Sequence, residues 1–119
     1  MTQHDPNQVR NEHQVQVLAD LMNTIEQRSS QSGDTSYTAK LLAAGKDHCA
    51  KKFGEEAFEI ALASVGSDKK HIVSEAGDVL YHLLVLLKSC DVNLSDVMTE
   101  LSKRTGQSGL QEKASRAEK

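Results

Sequence analysis

From Ile72 to Leu87 the chain sets Ile72, Val73, Ala76, Val79, Leu80, Leu83, Leu84, Leu86 and Leu87 at intervals that no single helix face can hold. A helix turns about 100° per residue, so these positions wrap around more than one side, and a helix apolar on several sides has to be covered on several sides. The segment predicts a central helix over about residues 68–89, packed inside a helical bundle. It also poses a conflict, because Glu75 and Asp78 stand at the head of this run, in "SEAGDVLYHLLVLL".

The remaining segments supply the packing partners. Val15, Leu18, Leu21, Met22 and Ile25 recur every three or four residues and mark an amphipathic helix from about Asn11 to Arg28. The polar stretch "QRSSQSGDTS" then reads as a loop. A short helix follows in "SYTAKLLAAG", with Ser36 or Thr35 as its cap and Gly45 closing it in a left-handed conformation. From near Lys46, the positions Cys49, Phe53, Ala57, Ile60, Ala61 and Ser64 again keep helical spacing up to Gly66, beyond which Ser67 can cap the central helix. A last helix starts at "NLSDVMTEL", capped by Asn93 and with Asp96 in its first turn, and ends near Thr105 and Gly106.

The expected fold is therefore all-α: a bundle of four main helices plus a short one, with sequential helices forming antiparallel hairpins across short turns. One Pro, no Trp and an aromatic content of 3% fit such a helical domain better than a sheet protein. With 119 residues the chain has room for one domain, expected over residues 15–106, after a polar flexible leader at 1–14 and before a basic tail at 107–119. So many apolar faces in so short a chain predict completion of the bundle by dimerisation, with a homodimer as the commonest closed form.

Several function classes drop out. The net charge of -3 and the absence of a Lys/Arg block argue against nucleic-acid binding. The longest apolar run, "LLVLL", is too short to cross a bilayer, and the N-terminus lacks the pattern of a secretion signal. Two distant cysteines, Cys49 and Cys90, form neither a disulfide framework nor a zinc motif, so a cytoplasmic location is expected.

The acids carry the chemistry. In "GEEAFE" the residues Glu55, Glu56 and Glu59 fall within about one 100° sector, and Glu75 and Asp78 lie about 60° apart on the next helix. If the two helices fold back about Gly66, these stripes face each other and can converge. Clustered carboxylates repel, so holding them together calls for a cation, and hard oxygen donors in that number suit Mg²⁺ or Mn²⁺. Spacing alone leaves open a second reading, in which the acids line an ordinary solvated helix face.

Four ordered segments, "SYTAKLLAAG", "KKFGEEAFEIALA", "EAGDVLYHLLVLL" and "SGLQEKASR", resemble the phosphoribosyl-ATP pyrophosphohydrolase family over about Val17 to Arg116. The chain also holds the wider pattern of all-α nucleoside triphosphate pyrophosphatases, as Glu56-x-x-Glu59 followed by Glu75-x-x-Asp78. The resemblance implies Mg²⁺-dependent, ATP-analogue hydrolysis in histidine biosynthesis: 1-(5-phospho-β-D-ribosyl)-ATP gives its AMP derivative and diphosphate. It further implies Glu56, Glu59, Glu75 and Asp78 as catalytic metal ligands, and Lys40, Lys52, Lys113 and Arg116 as phosphate contacts, the last two from a tail ordered by substrate or a partner chain. The rivals are a house-cleaning pyrophosphatase acting on aberrant nucleotides and a noncatalytic helical dimerisation module. His82 stands either as a support for Asp78 or as a core residue, and Tyr37 either touches the substrate base or caps the core.

Overall fold

A computed structural model describes residues 6–106 and residue 116. Among these residues there are five helices: α1 (Pro6–Arg28), α2 (Tyr37–Ala43), α3 (Lys46–Ser64), α4 (Lys69–Ser89) and α5 (Leu94–Arg104). The all-α expectation holds, and α3 and α4 form the hairpin whose helices pack most extensively on one another. Helix α4 also touches α1 and α2, which makes it the hub.

Helix α1 starts five residues ahead of the expected start near Asn11, so it takes in part of the polar leader. Pro6 suits a first helical position, where its fixed φ is helical and its missing N–H costs nothing. Most of the tail, Lys113 included, lies outside the described residues; Arg116 is described and is exposed.

The helix ends show which polar residues set the register. Ser36 caps α2 by accepting from the Ala39 amide at 3.2 Å. Gly45 does adopt a positive φ of 101°, but its ψ of 168° is extended rather than left-handed helical, and it opens α3 instead of closing α2. Asp68, not Ser67, caps α4, accepting from the amides of Lys70 at 3.1 Å and His71 at 3.3 Å. These are the free N–H groups of the first turn, and a carboxylate there also meets the positive helix end.

At the other end of α4, Asp91 sits at φ 57°, and the Val92 amide donates to the Leu87 carbonyl at 2.9 Å while Asp91 donates to Lys88 at 3.0 Å. That pair of bonds is the Schellman closure, with Asp where Gly is usual.

The core gathers Met22 and Ile25 from α1, Leu41 from α2, Cys49 from α3, and Leu84 and Val85 from α4. Cys49 is sealed in it and its thiol donates to the Leu41 carbonyl at 3.3 Å, while burial pushes the thiol pKa up. The C-terminal half of α4 is thus the buried half. Ahead of that buried stretch, Val73 and Leu80 are left in water, and α3 likewise exposes Phe58 and Leu62, with Val65 at its C-cap. Coverage of α4 on several sides is therefore incomplete within one chain.

Candidate metal and phosphate site

Folding the α3–α4 hairpin about residues 65–68 reverses the chain direction, so positions equidistant from the turn come alongside. A side chain on Gly66 would meet the Ala63 carbonyl oxygen at 3.3 Å, so glycine keeps this turn tight. The consequence is convergence of acids from both helices: carboxylate oxygens of Glu56, Glu75 and Asp78 all lie within 4.8 Å of one another. Glu56 and Glu75 are half-buried and Asp78 is exposed, so the group forms a shelf open on one side. Glu59, one turn further along α3, is exposed and lies outside this group.

Lys52 and His71 border the acids. Lys52 reaches Glu55 at 3.6 Å and Glu56 at 4.0 Å, and His71 Nδ1 is 3.9 Å from Glu75. Neither pair is short enough for a strong charge-assisted hydrogen bond, which leaves Lys52 free to turn to another anion. Lys40 projects from α2 and is exposed. The i, i+4 spacing of His71 and Glu75 is legible in the sequence, whereas the bond between the Thr38 and Tyr81 hydroxyls at 2.5 Å, which ties α2 to α4, joins residues 43 apart and left no local signal.

His82, one turn after Asp78, is buried. Its ring meets Tyr81 edge-on at 5.1 Å between centroids, and Tyr37 at 6.4 Å. Burial pushes the imidazole pKa down, against the upward pull of Glu56 and Asp78 and with the help of Lys52. The neutral form is thereby favoured. No hydrogen bond joins His82 to Asp78 among the described residues, so His82 packs beside the acids without supporting that carboxylate directly.

The donor set fits a small hard cation. Around octahedral Mg²⁺ with oxygens at about 2.0–2.1 Å, adjacent donors stand about 3 Å apart and opposite ones about 4.2 Å, so three oxygens within 4.8 Å of one another would draw together to share one ion. The groove of about 690 Å³ between α1 and α5, lined by Met22, Asn23, Glu26, Leu94 and Met98 among others, borders none of these acids.

Residues 18–105 match the family model described as phosphoribosyl-ATP pyrophosphohydrolase. The chain belongs to that family. Among its relatives within the family, the phosphoribosyl-ATP pyrophosphatase 1 of Rhodopseudomonas palustris is 54% identical over 99 residues, which cover 83% of this chain and 92% of the relative. The phosphoribosyl-ATP pyrophosphatase of Ruegeria pomeroyi is 54% identical over 100 residues, 84% of this chain and 95% of the relative. That of Agrobacterium fabrum is 52% identical over 99 residues, again 83% and 92%. The family match takes in α2 to α5 and all the acids of the shelf.

Proposed function

We propose that the chain hydrolyses 1-(5-phospho-β-D-ribosyl)-ATP to 1-(5-phospho-β-D-ribosyl)-AMP and diphosphate, the second step of histidine biosynthesis, as a Mg²⁺-dependent enzyme of the cytoplasm. The observation that carries the reading is the convergence of Glu56, Glu75 and Asp78 in a chain of the phosphoribosyl-ATP pyrophosphohydrolase family. Two free cysteines, and no helix among the described residues long and apolar enough to cross a membrane, support the location.

Water adds across the anhydride between the α- and β-phosphoryl groups; one P–O bond forms, one breaks, and a proton leaves. In this reading Glu56, Glu75 and Asp78 hold the cation, and Glu59 joins them from the next turn of α3. Mg²⁺, or Mn²⁺ in its stead, supplies neutralisation of the charge on the phosphoryl oxygens. Lys52 exchanges its long contacts with Glu55 and Glu56 for a phosphate oxygen, which also frees Glu55. Lys40 supplies a second positive charge, and Lys113 and Arg116 bring further charge from the tail. Such an arrangement lowers the barrier chiefly by positioning and by charge placed before the reaction begins.

The test is diphosphate release from phosphoribosyl-ATP beside a panel of ordinary and modified nucleoside triphosphates. Release from phosphoribosyl-ATP that stops with EDTA and returns with Mg²⁺ is expected. Turnover of the panel alone would sink the histidine-pathway reading, and no turnover of anything would leave a noncatalytic module.

The same reading includes a homodimer. Phe58, Leu62 and Val65 stand at spacings of four and three on α3, and Val73 and Leu80 seven apart on α4, each set following one helix face and each exposed. A second copy covering them removes that apolar area from water. Sedimentation equilibrium should return twice the 13.0 kDa chain mass, and Leu62→Asp should return it to one.

A further inference from the structure

Tyr37 is the first residue of α2, and its backbone is fixed on both sides: Ser36, Thr38 and Ala39 are buried, and the Ser36 hydroxyl caps the helix. Tyr37 is nevertheless 55% exposed. It stands edge-on to His82, with the ring planes at 89°. His82 is only 6% exposed, yet neither of its ring nitrogens has a hydrogen-bond partner among the described residues. Among the described residues no buried side-chain nitrogen or oxygen is sealed off without a partner, so the His82 nitrogens keep access to solvent and stand within reach of a ligand. The Tyr81 hydroxyl bonds that of Thr38, and no hydrogen bond joins it to His82 among the described residues.

Electrostatics locates this corner. His82 follows Asp78 by about one turn of α4, and the charges of Glu56, Lys52 and Asp78 act on it, so the corner adjoins the acidic shelf. It differs from the shelf in kind, offering one aromatic face and one neutral hydrogen-bonding ring beside a group of formal charges. That is the chemistry of a planar heteroaromatic base, whose face stacks and whose edge carries nitrogen donors and acceptors.

We propose that Tyr37 and His82 recognise the nucleobase of the bound nucleotide, Tyr37 by stacking and His82 by a hydrogen bond to the base edge. This rests on the reading that the phosphates sit at the acidic shelf. Tyr37 thus decides nucleotide over bare polyphosphate, and the acids decide phosphate over other anions.

Calorimetric titration of the full chain with Mg-ATP and with Mg-tripolyphosphate separates the two contributions. Wild type should bind ATP at least about tenfold more tightly than tripolyphosphate, since base stacking on an aromatic side chain is worth about 1–3 kcal/mol. Tyr37→Ala should erase that preference and leave tripolyphosphate affinity within about twofold, and Tyr37→Phe should retain it, stacking needing no hydroxyl. His82→Asn should narrow the preference. Retained tripolyphosphate binding certifies the fold and the shelf in each variant. Equal affinities in wild type, a preference that survives Tyr37→Ala, or equal losses for both probes overturn the inference. So does a fall in sedimentation mass in Tyr37→Ala, which would assign the exposed ring to an interface between copies. Binding of neither probe to wild type overturns the corner together with the phosphate reading; tripolyphosphate binding without an ATP preference overturns the corner alone.

Discussion

Asp78→Asn should lower kcat for phosphoribosyl-ATP roughly a thousandfold, because a metal ligand supplies several kcal/mol of charge stabilisation and each 1.4 kcal/mol is about a factor of ten. The substitution keeps the shape and removes one negative charge. Without metal, it should also raise the melting temperature. Three carboxylates with oxygens inside 4.8 Å repel one another, at a cost on the order of 1 kcal/mol per pair in a solvent-rich setting. Lys52 at 4.0 Å from Glu56 offsets only part of that. Glu75→Gln should behave alike. The two readouts move in opposite directions only if the shelf exists to hold a cation: an acid kept for packing or solubility would leave activity intact, and one kept for folding would lose stability as well as activity. Calorimetric melts with EDTA and with Mg²⁺, run beside the kinetic assay, check both halves. Mg²⁺ should raise the wild-type melting temperature and leave that of Asp78→Asn unchanged.

What the sequence made legible follows from how far each signal reaches. Helical spacing is a local property, and the periodic apolar positions of α1, α3 and α4 placed those helices with most of their ends. Facing of Glu56 against Glu75 and Asp78 needed one further step, the short turn at Gly66, and that too is local. Exclusion of Glu59 from the cluster was not legible. Angular sectors put it with Glu56, but the distance from the turn along α3 decides which acids of α4 it meets, and a sector diagram carries no axial coordinate. Asp68 as the α4 cap and Asp91 at a positive φ show a second limit, since Asp and Ser cap about equally well, so propensity did not choose between Ser67 and Asp68, and Asp91 stands where glycine is usual. The lack of a hydrogen bond between His82 and Asp78 is a third. Residues four apart share a face, but which way each side chain turns depends on Tyr37, Tyr81 and the buried elements around them.

Leu84→Ala should cost about 2–5 kcal/mol and lower the melting temperature by roughly 10 °C or more. Leu84 is 1% exposed and belongs to a core cluster that draws residues from α1, α2, α3 and α4 together. Among the described residues the largest fully buried side chains are Ile25, Leu84, Val85 and Cys49, so removing Leu84 opens a hole at the centre of the core. Against a total of about 5–15 kcal/mol the loss is large. Leu80, four residues earlier on the same helix, is the instructive contrast at 46% exposed. In an isolated chain, Leu80→Ala should cost well under 1 kcal/mol, because little apolar area returns to water. If a second copy covers that face, the same substitution weakens association, and the deficit should grow as the protein is diluted, whereas the Leu84→Ala deficit should barely change with concentration. Melting curves of both variants over a hundredfold range of concentration therefore separate the part of α4 that one chain buries from the part that awaits its partner; two concentration-independent deficits would mean that the exposed face of the hairpin stays in water.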